Sequence, residues 1–424
     1  MIRLVLALAL VLPATATILD SCWLHQLESV TVTAPAPRPG QTSTALGGST
    51  LDHALEEAGI DLIRRGDLLS MDLGVEGLTR QDLEIRIDGE RHPPACPNRM
   101  DNALTRFSGD EMESLDLHRS GQAASAGLGG LVQYHRRRPG RDMAAMAGLK
   151  TTILAGSARE VGAAVEGLGH RLSIRALESR AYKDDEGRVF VGLYPYVDLP
   201  DLRAREGHWT GALGRLEVGA FLQRSRDVPF PYLKMDERRT SHWGGYLAQG
   251  DRRVYFNRTD HLMDDGLRQP TAQSPLRPSM ISDADITTLG CSTPRLDFWW
   301  MRWDLVNRIP AAGIRNHMIP DLRRFSGSWQ QELALGRFGW LSGRMGLVLD
   351  QVGDIDRVDA QQGRLRVDPP HRRLFLPAAL AWGAQHRTGG GWFAGALEAA
   401  SAACWTATRP WAGRVCAPRC WAQS

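Results

Sequence analysis

The chain has 424 residues, a formal charge of +3 and 6 cysteines. That length allows two domains. So small a charge excludes a strong electrostatic preference for nucleic acid or anionic lipid, and the cysteines show no framework spacing that would staple a small secreted fold. Lysine occurs only at positions 150, 183 and 234, so the basic residues are almost all arginine, which fits a GC-rich genome better than a binding surface.

Met1-Ile2-Arg3 gives a short positive start, Leu4 to Leu12 is an unbroken apolar run, and Pro13 ends it. Ala14-Thr15-Ala16 has the small-x-small form of a signal-peptidase site, so 1–16 reads as a cleaved secretory signal. The run is too short to span a bilayer as a helix. No later apolar run reaches that length, so the exported chain is either soluble or crosses a membrane as a β-barrel, whose alternating strands hide the signal.

The segment 17–50 reads as a β-prone strip followed by a linker. Glu28, Ser29, Val30, Thr31, Val32, Thr33 and Ala34 form the strip, and a Pro/Gly/Ser/Thr-rich stretch from Pro35 to Ser49 follows. Such a strip ahead of a flexible tether suits strand addition to a partner's sheet edge, and equally an ordinary edge strand.

Residues 51–142 read as a compact α/β unit. Leu51 to Gly59 is expected to be a short helix ending at glycine. Leu83-Glu84-Ile85-Arg86-Ile87 alternates apolar and charged residues and stops at Asp88-Gly89, a strand-then-turn pattern. Glu113 to Arg119 alternates in the same way and leads into the glycine-rich Gly127-Leu128-Gly129-Gly130, where glycines permit tight backbone. No helical pattern follows Gly130, so a nucleotide-binding glycine loop does not fit.

Residues 143–398 alternate with a period of two in several places. Leu172, Ile174 and Ala176 face one way while Arg171, Ser173 and Arg175 face the other, and Leu216 to Leu222 behaves similarly. From Ala399 to Ser424 the chain is rich in Ala, Arg, Cys, Trp and Pro and loses that alternation. This tail is expected to be aberrant.

Two short motifs carry chemistry. Cys96 and Met100 sit four apart in a segment stiffened by Pro93, Pro94 and Pro97. His261 and Met263 sit two apart, so in an extended chain they point the same way. A thiol, two thioethers and an imidazole are a soft donor set that suits Cu(I) above other biological metals. Taken singly, each pair also fits ordinary packing or a surface loop. Other candidates are His317 with Met318, Met235, and His92 as a supporting or merely exposed group. Cys96 as a nucleophile lacks a base and an orienting partner, so the chain does not read as an enzyme.

The order of parts resembles a TonB-dependent outer-membrane receptor. Glu28 to Ala34 resembles the TonB box, and 51–142 resembles the plug, including Ile87-Asp88-Gly89 and the glycine-rich end. The paired CxxxM and HxM motifs resemble the copper receptors of that family. The resemblance implies a mainly β fold: an N-terminal α/β plug domain inside a transmembrane antiparallel β-barrel in the outer membrane. It implies copper as transported ligand, bound as Cu(I) by Cys96, Met100, His261 and Met263, with TonB and outer-membrane lipid as partners and no nucleic acid. A siderophore or other metal-chelate receptor, or a non-functional remnant of a receptor, is the alternative.

Length departs from the resemblance. A plugged transporter barrel has about 22 strands, whereas the roughly 280 residues after the plug suffice for ~11–14 strands at ~10 residues each. The barrel is therefore expected to be incomplete, with the reading frame shifted near Ala400. Translating the other frames of the downstream DNA is expected to restore strand-like alternation, and its absence there rules the shift out.

Overall fold

The computed structural model describes positions 43–44, parts of 55–140, and 144–408 with short gaps. The expected signal, the strip 28–34, Met100 and 409–424 lie outside the described residues. Of the helix expected at 51–59, Leu55 alone is described, and it is helical.

The N-terminal part contributes β1 (Ser43–Thr44), β2 (Asp61–Arg64), β3 (Met71–Val75), β4 (Leu78–Thr79), β5 (Leu83–Ile87), β6 (Glu90–Arg91), β7 (Met112–His118) and β8 (Gly130–Arg136). The strands β2, β3 and β4 form a small sheet. The others form a five-stranded sheet in the order β1-β7-β8-β5-β6, in which β5 and β8 run parallel. The turn between β5 and β6 is the one the Asp-Gly pair foretells: Asp88 at φ 50° and Gly89 at φ 82° are both left-handed, as a type I′ hairpin requires. Leu55, Leu73, Ile85, Ile87, Val132 and Tyr134 fill the core between the sheets.

The remainder is one antiparallel sheet. Its strands are β9 (Ala144–Thr152), β10 (Ala158–Gly167), β11 (His170–Arg180), β12 (Asp201–Leu213), β13 (Leu216–Val228), β14 (Asp236–Gln249), β15 (Arg252–Asp264), β16 (Ile281–Ser292), β17 (Leu296–Ile309), β18 (Ile314–Ala334), β19 (Trp340–Val352), β20 (Ile355–Asp359), β21 (Gly363–Asp368), β22 (His371–Thr388) and β23 (Gly391–Thr408). Neighbours in sequence are neighbours in the sheet from β9 to β19, then β22 and β23, with the β20–β21 hairpin attached to β18. Among the described residues, β9 and β23 do not pair with each other, so the wall is incomplete. The last strand differs from the sequence reading: it passes through Ala399, and Ala399 to Thr408 stay in register with β22. Backbone pairing there does not need side-chain alternation, since every non-proline residue can join the ladder.

Burial along the wall is inverted relative to a water-soluble sheet. In β11, Arg171 and Ser173 are buried while Leu172 and Ile174 are 54% and 61% exposed. In β12 and β13, Glu206, His208, Thr210, Gln223 and Ser225 are buried, while Leu222 is exposed. A sandwich would bury the apolar row. A barrel in lipid points it outward and keeps the polar row inside. Among the described residues no helix is long and apolar enough to cross a membrane, which leaves strand crossing untouched.

The two rims differ. Tight turns at 168–169, 214–215 and 250–251 close one end, with Gly169, Gly214 and Gly250 at positive φ. Longer connections at 181–200, 229–235 and 265–280 stand at the other. Outer-membrane barrels carry short turns on the periplasmic side and longer loops outside.

Arginine at position 174, on the exposed row at mid-strand, is expected to cost about 2–4 kcal/mol of folding into lipid. Heat-modifiable migration after refolding Ile174→Arg into vesicles measures it. Unchanged folding would mean that this row does not face lipid.

Candidate metal centre between plug and wall

After the β5–β6 hairpin the plug chain runs through His92, Pro93 and Pro94 into a tight bend at Ala95, Cys96 and Pro97. Asp101 fastens that bend. Its carboxylate accepts the Ala95 N–H at 2.6 Å and the Cys96 N–H at 3.0 Å. The bend is also held from the wall, because Trp303 Nε1 on β17 donates to the Ala95 carbonyl at 2.8 Å. Ala95 packs on Ala284, Ile286, Met301 and Leu305 of β16 and β17. Cys96 faces another stretch of wall, among Leu177, Leu202, Val228, Phe230 and Met263. The bend thus touches two parts of the wall, and Cys96 sits in dry, apolar surroundings.

The wall supplies the second half. His261 and Met263 lie in β15, not in a loop. Alternate residues Tyr255, Asn257, Thr259, His261 and Met263 are all buried, so they share the inner face. His261 pairs with Thr240 across β14 and β15. Its Nδ1 lies 2.7 Å from the Thr240 hydroxyl and 3.7 Å from Glu237. Its Nε2 is buried without a hydrogen-bond partner. An orphaned buried nitrogen is costly, and a ring held by one nitrogen while the other is left open is how metal-binding histidines are oriented.

Cys96, Asp101 and His261 bring their ligand-type atoms within 4.8 Å of one another. Met263 is 4% exposed and packs in the same cluster as Cys96. Of the four residues singled out in the sequence, Cys96 and His261 come together, Met263 is buried in the same apolar cluster as Cys96, and Met100 lies outside the described residues. Asp101 is better read as the fastener of the bend than as a ligand. Both its oxygens already accept backbone N–H groups, and a hard carboxylate is a poor match to a thiolate–thioether set. The other sequence candidates fall in different surroundings, except Met235. His317 pairs with Asp304 at 2.6 Å and Met318 is exposed, while Met235 packs at the edge of the Cys96 cluster. His92 is 4% exposed, neither a surface group nor part of the Cys96 cluster.

No family model matches the chain, and no curated protein matches it. Solved structures do. "Copper transporter OprC" is 17% identical, with 81% of this chain covering 61% of that one at a TM-score of 0.51. The likeness is one of fold: a plug beside an antiparallel barrel wall. Weaker likenesses, below a TM-score of 0.5, run to the siderophore receptor PirA from Acinetobacter baumannii (10% identical, 78% of this chain, 57% of that one, 0.46) and the FrpB iron transporter from Neisseria meningitidis (11%, 82%, 63%, 0.48). The chain spans about three-fifths of the length of these structures.

Further toward the tight-turn rim, charge joins plug to wall. Glu90 is 1% exposed. It receives Arg136 through two bonds, at 2.6 and 2.9 Å, Arg253 of β15 at 2.7 Å, and His92 Nε2 at 3.2 Å. The ring of Tyr246 in β14 lies beneath both guanidiniums, 4.8 Å from Arg136 and 4.0 Å from Arg253. Burial by itself would raise the Glu90 carboxyl. Arg136, the His92 bond and Arg253 outweigh it and hold the group well below the usual carboxylate range. Burial pushes the His92 imidazole down more than Glu90 lifts it, so the ring is neutral. A carboxyl held low in the folded chain stabilises it at every pH above its unfolded value, so the cluster persists through the neutral range. A second set ties Arg86 and Arg91 of the plug to Asp297 of β17, at 3.1 and 2.9 Å.

Removing one member of such a buried set strands the others. Glu90→Ala is expected to cost about 3–5 kcal/mol, read as a lowered unfolding temperature of the folded protein. A change below about 1 kcal/mol would show that water reaches the cluster and screens it.

Proposed function

We propose that the chain is the plug and part of the barrel of a TonB-dependent outer-membrane receptor that binds copper and imports it. The observation that carries the reading is the approach of Cys96 from the plug to His261 on the wall, with Met263 buried in the Cys96 cluster and His261 Nε2 without a hydrogen-bond partner among the described residues. Cys96 serves as thiolate, His261 through Nε2, Met263 as thioether, and Met100 as the second thioether from the same plug loop. This set favours Cu(I). The apolar walls around Cys96 strengthen each bond by excluding water. The outward apolar row supports an outer-membrane location, and the name of the first structural likeness agrees with copper.

Transport follows from the division of the ligands. The thiolate and one thioether belong to the plug, the imidazole and the other thioether to the wall. TonB, engaging residues 28–34 and pulling on the plug, separates the two pairs, and each alone holds copper far less well. No bond in the chain is made or broken.

Cys96→Ala and Met263→Ala are each expected to weaken copper binding by at least about tenfold, since removal of mere supporting groups already costs ~10–100-fold. Affinity is also expected to fall in acid, where protons compete for thiolate and imidazole. Metal analysis of protein purified with copper measures both. Unchanged copper content in the two variants would remove the site.

A further inference from the structure

One step from His261 along the inner wall toward the tight-turn rim lies a second pair of nitrogens. His242 on β14 is paired with Thr259 on β15, and Thr240 with His261. His242 and His261 are therefore diagonal neighbours on one face, roughly 7–8 Å apart. His242 is 3% exposed. From the plug, His92 comes to meet it, and His92 Nδ1 lies 3.1 Å from His242 Nε2.

The far nitrogen of each ring is already held. His92 Nε2 lies 3.2 Å from the Glu90 carboxylate, which only accepts, so Nε2 carries the hydrogen. With that hydrogen on Nε2, the Nδ1 of the ring accepts from His242 Nε2 and keeps its lone pair facing His242. His242 Nδ1 lies 2.7 Å from the Thr259 hydroxyl, which can donate or accept. A carboxylate behind one imidazole and a hydroxyl behind the other is the supporting arrangement of metal-binding histidines. Phe107 and Phe221 wall the pair, with ring centroids 5.5 and 5.6 Å from His92 and 5.8 and 4.9 Å from His242.

We propose that His92 and His242 form a second Cu(I) site, a two-coordinate bis-imidazole station between the cysteine site and the tight-turn rim. It rests on the reading of the chain as a copper carrier. Two nitrogens between aromatic faces suit an ion content with two ligands, unlike Zn(II), which takes four. Metal–nitrogen bonds of about 2 Å need the rings to part by somewhat under ~1 Å, within side-chain adjustment. The proton balance closes without release. In the metal-free pair His242 Nε2–H donates to His92 Nδ1. When Cu(I) takes both lone pairs, that proton moves to His242 Nδ1 and donates to Thr259 Oγ, whose own hydrogen turns away. No electron is transferred. Like the first site, this one draws its ligands from both plug and wall, here one from each.

Anaerobic titration of the full chain in detergent, with Cu(I) supplied from a coloured chelator, tests the idea. The wild type is expected to bind two equivalents, one lost in His92→Gln or His242→Gln and the other in Cys96→Ser. Copper X-ray absorption of Cys96→Ser is expected to show nitrogen neighbours without sulfur. Heat-modifiable migration selects the folded fraction, and the two histidine variants report from opposite sides should either fail to fold. One equivalent, lost in Cys96→Ser and retained in both histidine variants, overturns the second site and leaves the first. One equivalent, retained in Cys96→Ser and lost in the histidine variants, does the reverse. Two equivalents that survive both histidine substitutions also overturn the second site, and no bound copper overturns both.

Discussion

The Glu90 carboxylate is the interaction on which the rest depends. It is buried in the plug, yet one of its two guanidinium partners, Arg253, belongs to the wall. Its third partner is His92, just ahead of the bend that carries Cys96. The position of that bend against β15 is therefore set from two sides. Glu90 and Arg253 fix its base, and Trp303 fixes its tip. Without the first, His92 loses its orientation and the bend loses its anchor near the hairpin.

A joint of this kind is strong while intact and separable when pulled. Buried ion pairs add little net stability over apolar contacts, because desolvation offsets the attraction. Their virtue here is that the groups they expose on parting are polar. A plug seated by leucines and phenylalanines would leave an apolar lumen when it moved. One seated by Glu90, Arg86, Arg91 and their partners leaves charges that water can solvate. The apolar contacts between plug and wall described above are local. They sit at Ala95, at Cys96 and at the Phe107–Phe221 contact.

The fold was legible because two periodicities differ. Strict alternation in 171–176 and 216–222 marks two-faced strands, and Ile87-Asp88-Gly89 marks a hairpin by its backbone needs alone. The polarity of the faces was less legible. The sequence shows that Leu172 and Arg171 oppose each other, and burial decides that arginine is the inner one. The proposed donor residues stand out as motifs, but the groups that hold them do not. Thr240 orients His261 through a cross-strand register that no local spacing reveals. His242 meets His92 across a sequence separation of 150, so each looks like a lone histidine. Asn257 to Asp265 is polar, which fits a surface loop as well as the inward row of a barrel strand, so sequence alone does not separate the two. Asp101 left a faint signal: an acidic residue five positions after Cys96, within reach of the Ala95 and Cys96 N–H groups that it caps.

The incomplete wall adds a constraint of its own. β9 and β23 each present an unpaired edge among the described residues, and lipid cannot satisfy open N–H and C=O groups. The proposed metal site does not lie near those edges. β14 and β15 are interior strands, paired on both sides, and the wall residues that meet Cys96 come from β11 to β15. Local geometry at Cys96 and His261 therefore needs only the strands present, whereas insertion needs a closed ring. The proposed binding and the proposed transport separate on that basis. Cys96 and His261 can come together wherever the plug sits against β11 to β17, and passage through a membrane would require the edges to be joined.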